Sequence, residues 1–319
     1  MKNSIFEVLR AGINTTFQDE GRFGLQHLGV PTSGCMDHQS FIVANALVGN
    51  KKKYGVIEFA YQGPLLKLVK GNTKIAITGN VYFKIISANG DIINGECNRS
   101  YNLNIGDSID IIATSKSAYG YMSVEGGFQI ESFYNSVSTL VKAKIGPNNG
   151  NKISLEDKII TNKNRKKENN FKAKISLQNL NVIRVLKGPQ YEFFSEKSKR
   201  LFFSQAYKVS NLSDRMGMRL EGKVLENIVN TNIRSEGITK GAIQVPADGQ
   251  PIILLTDCPT IGGYPKIANI ITADYDLLIQ KTPGTNISFK CIDLEEAEQL
   301  YKSRNDNISK IINEMKEIN

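Results

Sequence analysis

Histidine and cysteine are scarce in this 319-residue chain, and that scarcity excludes whole classes of chemistry. There are 2 histidines, His27 and His38, and 4 cysteines, Cys35, Cys97, Cys258 and Cys291. The cysteines are widely separated and form no Cys-x-x-Cys pair, so neither a zinc site nor a recognisable disulfide framework is encoded. With so few histidines, no metal centre is expected. No Gly-x-x-x-x-Gly-Lys-[Ser/Thr] loop is present to cradle nucleotide phosphates. No apolar run approaches a membrane span, and Met1 to Glu7 has no apolar segment of the signal-peptide kind. The chain reads as soluble and cytoplasmic, with no membrane partner.

What is present is enough for a substantial core: 40% of residues are hydrophobic, and the length suggests about two domains. The formal net charge of +9 raises nucleic acid as a partner. Lysine and asparagine are scattered through every loop, however. The one dense basic run, Lys163 to Lys167, has no interleaved aromatic residues on which bases could stack. The charge is therefore read as a solvated surface, with no nucleic-acid partner.

Short β-branched runs separated by turn signals dominate. Strands are expected at Lys74–Thr78, Val81–Ile86, Ile92–Asn94, Ser108–Ala113, Asn181–Leu186, Ala242–Pro246, Ile252–Thr256 and Asn286–Cys291. Pro283-Gly284 reads as the last hairpin-type turn. This texture is mainly β with few helices, in a sandwich or barrel. Asp37 can cap a helix carrying Phe41, Ile42, Ala44 and Val48, with Gly49 beyond its end. Tyr191 to Phe203 reads as helical, in one piece or two. The tail from Leu294 to Ile318 is helical, with Asp293 and Glu296 forming a capping box and a kink or break expected at Asn305-Asp306-Asn307. The polar segment Thr161 to Asn170 is the linker candidate, dividing the chain into 1–165 and 171–319. A weak echo between Val8–Gly12 and Val185–Pro189 is compatible with duplication or with chance.

Three blocks carry candidate chemistry. In the first, an apolar strand, Ile252 to Leu255, runs into Thr256, Asp257 and Thr260 and then Gly262-Gly263-Tyr264-Pro265. A buried strand ending in an acid and two glycines can deliver a carboxylate and backbone N–H groups to one point; it can also be a tight turn capped by Asp257. In the second, Ser213 to Gly222, two arginines, two acids and two glycines surround a pair of methionines. Arg215 and Asp214 either pair structurally or meet substrate. Arg219, alternating with Met218, is either a site residue or a surface residue of a strand. Gln244, between Ile243 and Val245, looks interior and must find a partner, of which a ligand is one option. Tyr264 can simply pack its turn. Cys258 has no basic neighbour to activate its thiol, Asp37 is better read as a cap than a base, and the two histidines belong to no strong motif. The third block is Thr15 to Gly24 with Leu28 to Asp37 and includes Arg22.

In this order, the three blocks resemble the carboxyltransferase-like family that includes the C subunit of bacterial 5-oxoprolinase, a protein formerly described as the antagonist of a sporulation-kinase inhibitor. The family is also related to the carboxyltransferase region of urea carboxylase. The likeness runs from about Val8 to Phe289, nearly the whole chain. It departs from the family pattern in three places. Val137, in Asn-Ser-Val-Ser-Thr, replaces an arginine. Pro147-Asn148-Asn149-Gly150 stands where a Gly-Gly-rich turn is usual. Cys258-Pro259-Thr260-Ile261 replaces a polar pair followed by two threonines.

The resemblance implies two cyclophilin-like β-barrel subdomains with a C-terminal helix. It implies one member of a hetero-oligomeric, ATP-dependent 5-oxoprolinase that opens a lactam together with the A and B subunits, with ATP used in the complex and its site open to lie on a partner. One alternative is the carboxyltransferase component of a biotin-dependent urea or amide carboxylase, the only case in which biotin would be needed; no methionine-flanked biotinyl lysine is present. Another is a non-catalytic regulator that binds and sequesters its partner. An amide-opening site needs donors for an oxyanion, a carboxylate for proton transfer and cations for an anionic substrate. The expected catalytic acids are Asp257 and Asp214. The expected substrate-binding residues are Arg215, Arg219, Gln244, Gly262, Gly263, Tyr264 and Arg22, converging on one pocket.

Overall fold

A computed structural model describes residues 3–162, 169–175, 181–229 and 232–318. The basic run Lys163–Lys167 and most of the expected linker lie outside the described residues. The chain forms two compact units, Met1–Arg22 with Ser33–Ser176 and Asn307–Asn319, and Phe23–Thr32 with Leu177–Asp306. Compactness thus groups residues differently from a single division at 165–171.

In the first unit, alternating apolar residues build two antiparallel sheets. The six-stranded sheet runs Lys158–Ile160, Ile5–Arg10, Leu65–Lys70, Ser108–Thr114, Val81–Ile86, Ile92–Asn94. The seven-stranded sheet runs Asn14–Gln18, Val56–Ala60, Tyr119–Val124, Thr73–Gly79, Arg99–Leu103, Asn170–Lys172, Lys316–Ile318. Phe6, Val8, Leu66, Leu68, Ile109 and Ile111 from one sheet meet Ile57, Phe59, Ile75, Ile77, Met122 and Val124 from the other in a shared core. Strand side chains alternate between faces, so Val56, Ala76 and Tyr121 emerge on the far side. There they pack with Phe41, Ile42, Val43 and Leu47 of helix α1 (His38–Leu47). Asp37 caps α1 as expected, its Oδ1 accepting from the Ser40 N–H at 2.9 Å.

The second unit is a closed barrel in the order Val182–Lys187, Lys266–Ile270, Ala242–Gln244, Ile252–Leu254, Gly217–Glu221, Tyr207–Val209, Asn286–Cys291. Parallel pairing of the last strand with the first, Ile183 opposite Phe289, closes it and so protects both edges. Helix α2 (Glu196–Ser204) stacks Phe202 on Phe289, with ring centroids 4.7 Å apart. A short ribbon, Glu236–Gly237 with Ile261–Gly262, is added outside the barrel ladder. The mainly β expectation holds, with the second unit a barrel and the first a pair of sheets around one core.

Three local expectations are corrected. Helix α3 (Thr272–Ile279) has no counterpart in the sequence reading: Asp274, Tyr275, Asp276, Leu278 and Ile279 are all buried, so no one-sided apolar stripe announces it. The tail helix, α4 (Leu294–Asn313), runs unbroken through 305–307. Asp306 and Asn307 point to water, where their weak helix propensity costs about 0.5 kcal/mol each, and Ile308 and Ile311 beyond them are buried. Helix then gives way to strand at Lys316–Ile318, which pairs with Asn170–Lys172. Pro283-Gly284 leads from α3 into the Asn286–Cys291 strand and is not a hairpin turn.

At Gly188, just after the first barrel strand, the backbone leaves no room for a side chain. A Cβ there would stand 2.2 Å from the Lys266 carbonyl oxygen and 2.8 Å from the Ala268 nitrogen. Gly188→Ala is expected to destabilise the protein by about 2 kcal/mol through overpacking. Gly237→Ala, where a Cβ meets nothing within 4 Å, is expected to stay within about 0.5 kcal/mol. Paired thermal unfolding curves test the contrast.

Candidate active site

The strand Gly217–Glu221 pairs with Ile252–Leu254, Met218 opposite Ile253. Beyond the ladder the chains stay together: Leu255 donates to the Met216 carbonyl and Asp257 to the Arg215 carbonyl, each at 2.9 Å. This places the Arg215 guanidinium on the Asp257 carboxylate in a two-pronged contact, Nε to Oδ2 at 2.8 Å and Nη2 to Oδ1 at 3.0 Å. Both residues are 8% exposed. Two charges leaving water together demand such geometry, because either alone would be strongly destabilising. Asp214 is exposed, and its Oδ1 accepts from the Met216 and Gly217 N–H groups at 2.8 and 3.1 Å, closing the turn before the strand. Arg219 is exposed between buried Met218 and Leu220.

Gln244 is 6% exposed and its amide Nε2 has no hydrogen-bond partner among the described residues. Gly262 lies against it: a Cβ on Gly262 would stand 2.6 Å from that nitrogen. Gly263 accepts from the Ile233 N–H at 2.9 Å, and Tyr264 is 40% exposed. Ile238 links these groups to the first pair, since it packs with Leu254 and Cys258 and its Cδ1 would lie 3.1 Å from the same Gly262 Cβ. The structure therefore joins Arg215 to Asp257 and Gln244 to Gly262.

Arg22 belongs to the first unit. It is 1% exposed, and its Nη2 donates to the Ser138 carbonyl. Beside it in sequence, Asp19 gathers the Ser136 and Ser138 hydroxyls and the Gly21 and Val137 N–H groups, at 2.6 to 2.8 Å. Val137, the residue in place of an arginine, serves this carboxylate through its backbone, a role indifferent to its side chain. Asn148 and Asn149 adopt φ of 56° and 52°; asparagine tolerates this region better than most residues, which explains how the turn forms with fewer glycines.

Sequence reasoning missed three residues. Lys266 is 4% exposed and stands opposite Gln244 in the neighbouring strand. Its Nζ contacts Glu236 Oε1, an oxygen that also accepts from Gln190 Nε2 at 2.6 Å. The Lys266 donor holds the Glu236 carboxyl below its ordinary range. The one available signal was a lysine opening the apolar run Ile267–Ile271; its partners, 76 and 30 positions away, could not be read locally. Among the described residues no three His, Cys, Asp or Glu side chains gather as a metal set.

Cys258 packs in the apolar cluster of Ile238, Ala242 and Leu254. Burial, then the nearby Asp257 charge, pushes its thiol up to about 11. The thiolate is the reactive form, so Cys258 is neutral at pH 7. Its alkylation rate is expected to rise about tenfold per pH unit from 7 to 10 without a plateau, and Cys258→Ser to keep activity within about threefold. Iodoacetamide labelling followed by peptide mass spectrometry reads the first; a plateau below pH 9 would show an activated thiol.

Sequence and fold are both shared with known proteins. The chain is 32% identical to the C subunit of 5-oxoprolinase from Haemophilus influenzae over 316 residues, 97% of this chain and 99% of that protein. It is 32% identical to urea amidolyase of Lachancea kluyveri over 95% of this chain, but only 18% of that protein. The crystal structure of Kluyveromyces lactis urea carboxylase superposes with a TM-score of 0.88 at 28% identity, covering 98% of this chain and 29% of that one. The family described as carboxyltransferase domain, subdomain A and B, matches residues 28–291, and the chain belongs to that family.

Proposed function

We propose that this chain is the C subunit of an ATP-dependent 5-oxoprolinase, which with the A and B subunits converts 5-oxoproline, ATP and water to L-glutamate, ADP and phosphate. The observation that carries the reading is the match to the Haemophilus influenzae protein along nearly the full length of both chains. An unstrained lactam resists hydrolysis at neutral pH, so its opening needs a carboxylate to move a proton and fixed donors for the oxygen that gains charge. Asp257, oriented by Arg215, is the proposed proton acceptor. Its two oxygens engage the guanidinium, and a carboxylate with about four lone-pair sites can serve more than one donor. Asp214, occupied with backbone N–H groups, is the second proposed acid. Gln244 and the Gly262-Gly263 segment supply donors.

ATP is used in the complex, and its site is proposed to lie on a partner subunit, because this chain has no Gly-x-x-x-x-Gly-Lys-[Ser/Thr] loop to cradle the phosphates. A second reading, the carboxyltransferase component of a biotin-dependent urea or amide carboxylase, is favoured by the fold likeness to urea carboxylase. The two differ in what their cycle consumes: one requires 5-oxoproline, the other a biotinylated carrier and bicarbonate.

The purified chain is expected to show no 5-oxoproline-dependent ATP hydrolysis, and activity is expected on adding both partners. Asp257→Asn in that complex should lower kcat by about 100-fold or more and lower stability by about 3 kcal/mol, since Arg215 loses its charge partner. Phosphate release and thermal melts measure the two effects. Full turnover by the chain alone, or an unaffected kcat in a folded Asp257→Asn complex, contradicts the proposal.

A further inference from the structure

We propose that Lys266, Gln190 and Gln244 form a seat for the carboxylate of a small acid, and that Glu236 occupies this seat in the structure as an internal carboxylate. The ligand's identity, 5-oxoproline, rests on the function proposed above; the seat itself rests on geometry. Lys266 and Gln244 pair across adjacent antiparallel strands at a register shift, and Gln244 Nε2 lies against Gly262, the ribbon partner of the Glu236 that Lys266 contacts. The Lys266 side chain is 5% exposed, whereas that of its partner Glu236 is 43% exposed. The buried member of this ion pair is thus fixed in a barrel strand, and the exposed member rides on a ribbon of two short strands. A carboxylate so placed can turn out to water by side-chain rotation alone; the ammonium cannot follow.

The two amides make the seat directional. The Gln190 Oε1 accepts from the Lys266 N–H at 3.2 Å, which commits its Nε2 to the carboxylate side, where it meets Glu236 Oε1 at 2.6 Å. One oxygen of Glu236 thereby takes two donors. Gln244 Nε2, the third donor, is buried and unpartnered among the described residues, although it lies against Gly262, the residue that pairs with Glu236 across the ribbon. Buried donors are almost always matched, and a carboxylate offers two oxygens with about four lone-pair sites. An incoming carboxylate in place of Glu236 can accept from Lys266 and Gln190 on one oxygen and from Gln244 on the other. Glycine at 262 leaves the Gln244 amide its position; any side chain there would displace it.

Isothermal titration of the full chain tests this, using 5-oxoproline, L-glutamate, acetate, inorganic phosphate and 2-pyrrolidone, the lactam without a carboxylate. Removing the internal competitor in Glu236→Ala should tighten carboxylate binding by about tenfold or more over the unsubstituted chain. The double variant Glu236→Ala with Lys266→Met removes both charges, so it strands neither; it should fold and lose that binding. Gly262→Ala in the Glu236→Ala background should weaken it several-fold by moving the Gln244 amide. The seat is refuted if Glu236→Ala binds carboxylates no better than the unsubstituted chain, if the double variant binds as well as the single one, or if phosphate or 2-pyrrolidone binds as tightly as the acids. Lys266-dependent binding of acetate and L-glutamate without 5-oxoproline would uphold the seat while removing 5-oxoproline as its ligand, which separates this proposal from the functional one.

Discussion

The guanidinium of Arg215 and the carboxylate of Asp257 leave water together, and that shared burial organises the barrel rim around them. Neither charge could be tolerated there alone. Their two-pronged contact requires the turn before the Gly217–Glu221 strand and the turn after the Ile252–Leu254 strand to remain in register. Backbone hydrogen bonds from Leu255 and Asp257 continue the ladder past its formal end for the same purpose. Cys258, next in the chain, packs with Ile238, Ala242 and Leu254, and the glycine segment follows this anchored acid in sequence.

The same device recurs. Helix α3 has Asp274 wholly buried in its first turn, and Arg184 meets that carboxylate through its backbone N–H and its guanidinium. Two positions on, Asp276 is met by Arg304 of α4. In the first unit, Asp19 has hydroxyl and N–H donors from the 136–138 segment and Gly21. Apolar strands supply the scaffold, and single buried charges specify which loop goes where. Such pairs add little net stability, but a wrong arrangement would leave a charge unmatched, which penalises alternatives.

This division explains what could be read from the chain. Strands such as Val81–Ile86, Ile92–Asn94 and Asn286–Cys291 were legible to the residue, because β-branched runs bounded by turn residues are local signals. So was the cap of α1, since Asp37 and Ser40 are three positions apart. Helix α3 was not, because its two aspartates are answered by arginines 90 and 28 positions away, and locally they read as polar interruptions. The candidate site divides likewise. Gln244 stood out as a polar residue in an apolar strand, and Asp257 as an acid at a strand end. Lys266, Glu236 and Gln190 did not, because Gln190 and Glu236 lie 76 and 30 positions from Lys266 and only the fold makes a set of them. Arg219, expected as a substrate-binding residue, is exposed between Met218 and Leu220, the surface placement that its alternation with Met218 had left open.

The two compact units are interleaved along the chain. Residues 23–32 belong with the second although the first surrounds them in sequence, and the final strand, Lys316–Ile318, returns to the edge of the first unit's larger sheet. No single scission can therefore release either unit intact. A gene broken between them would yield one fragment missing a sheet edge and carrying a stray ten-residue insert, and another lacking that insert. A single crossover point therefore cannot exchange one compact unit whole, because each unit draws on residues from both sides of any such point.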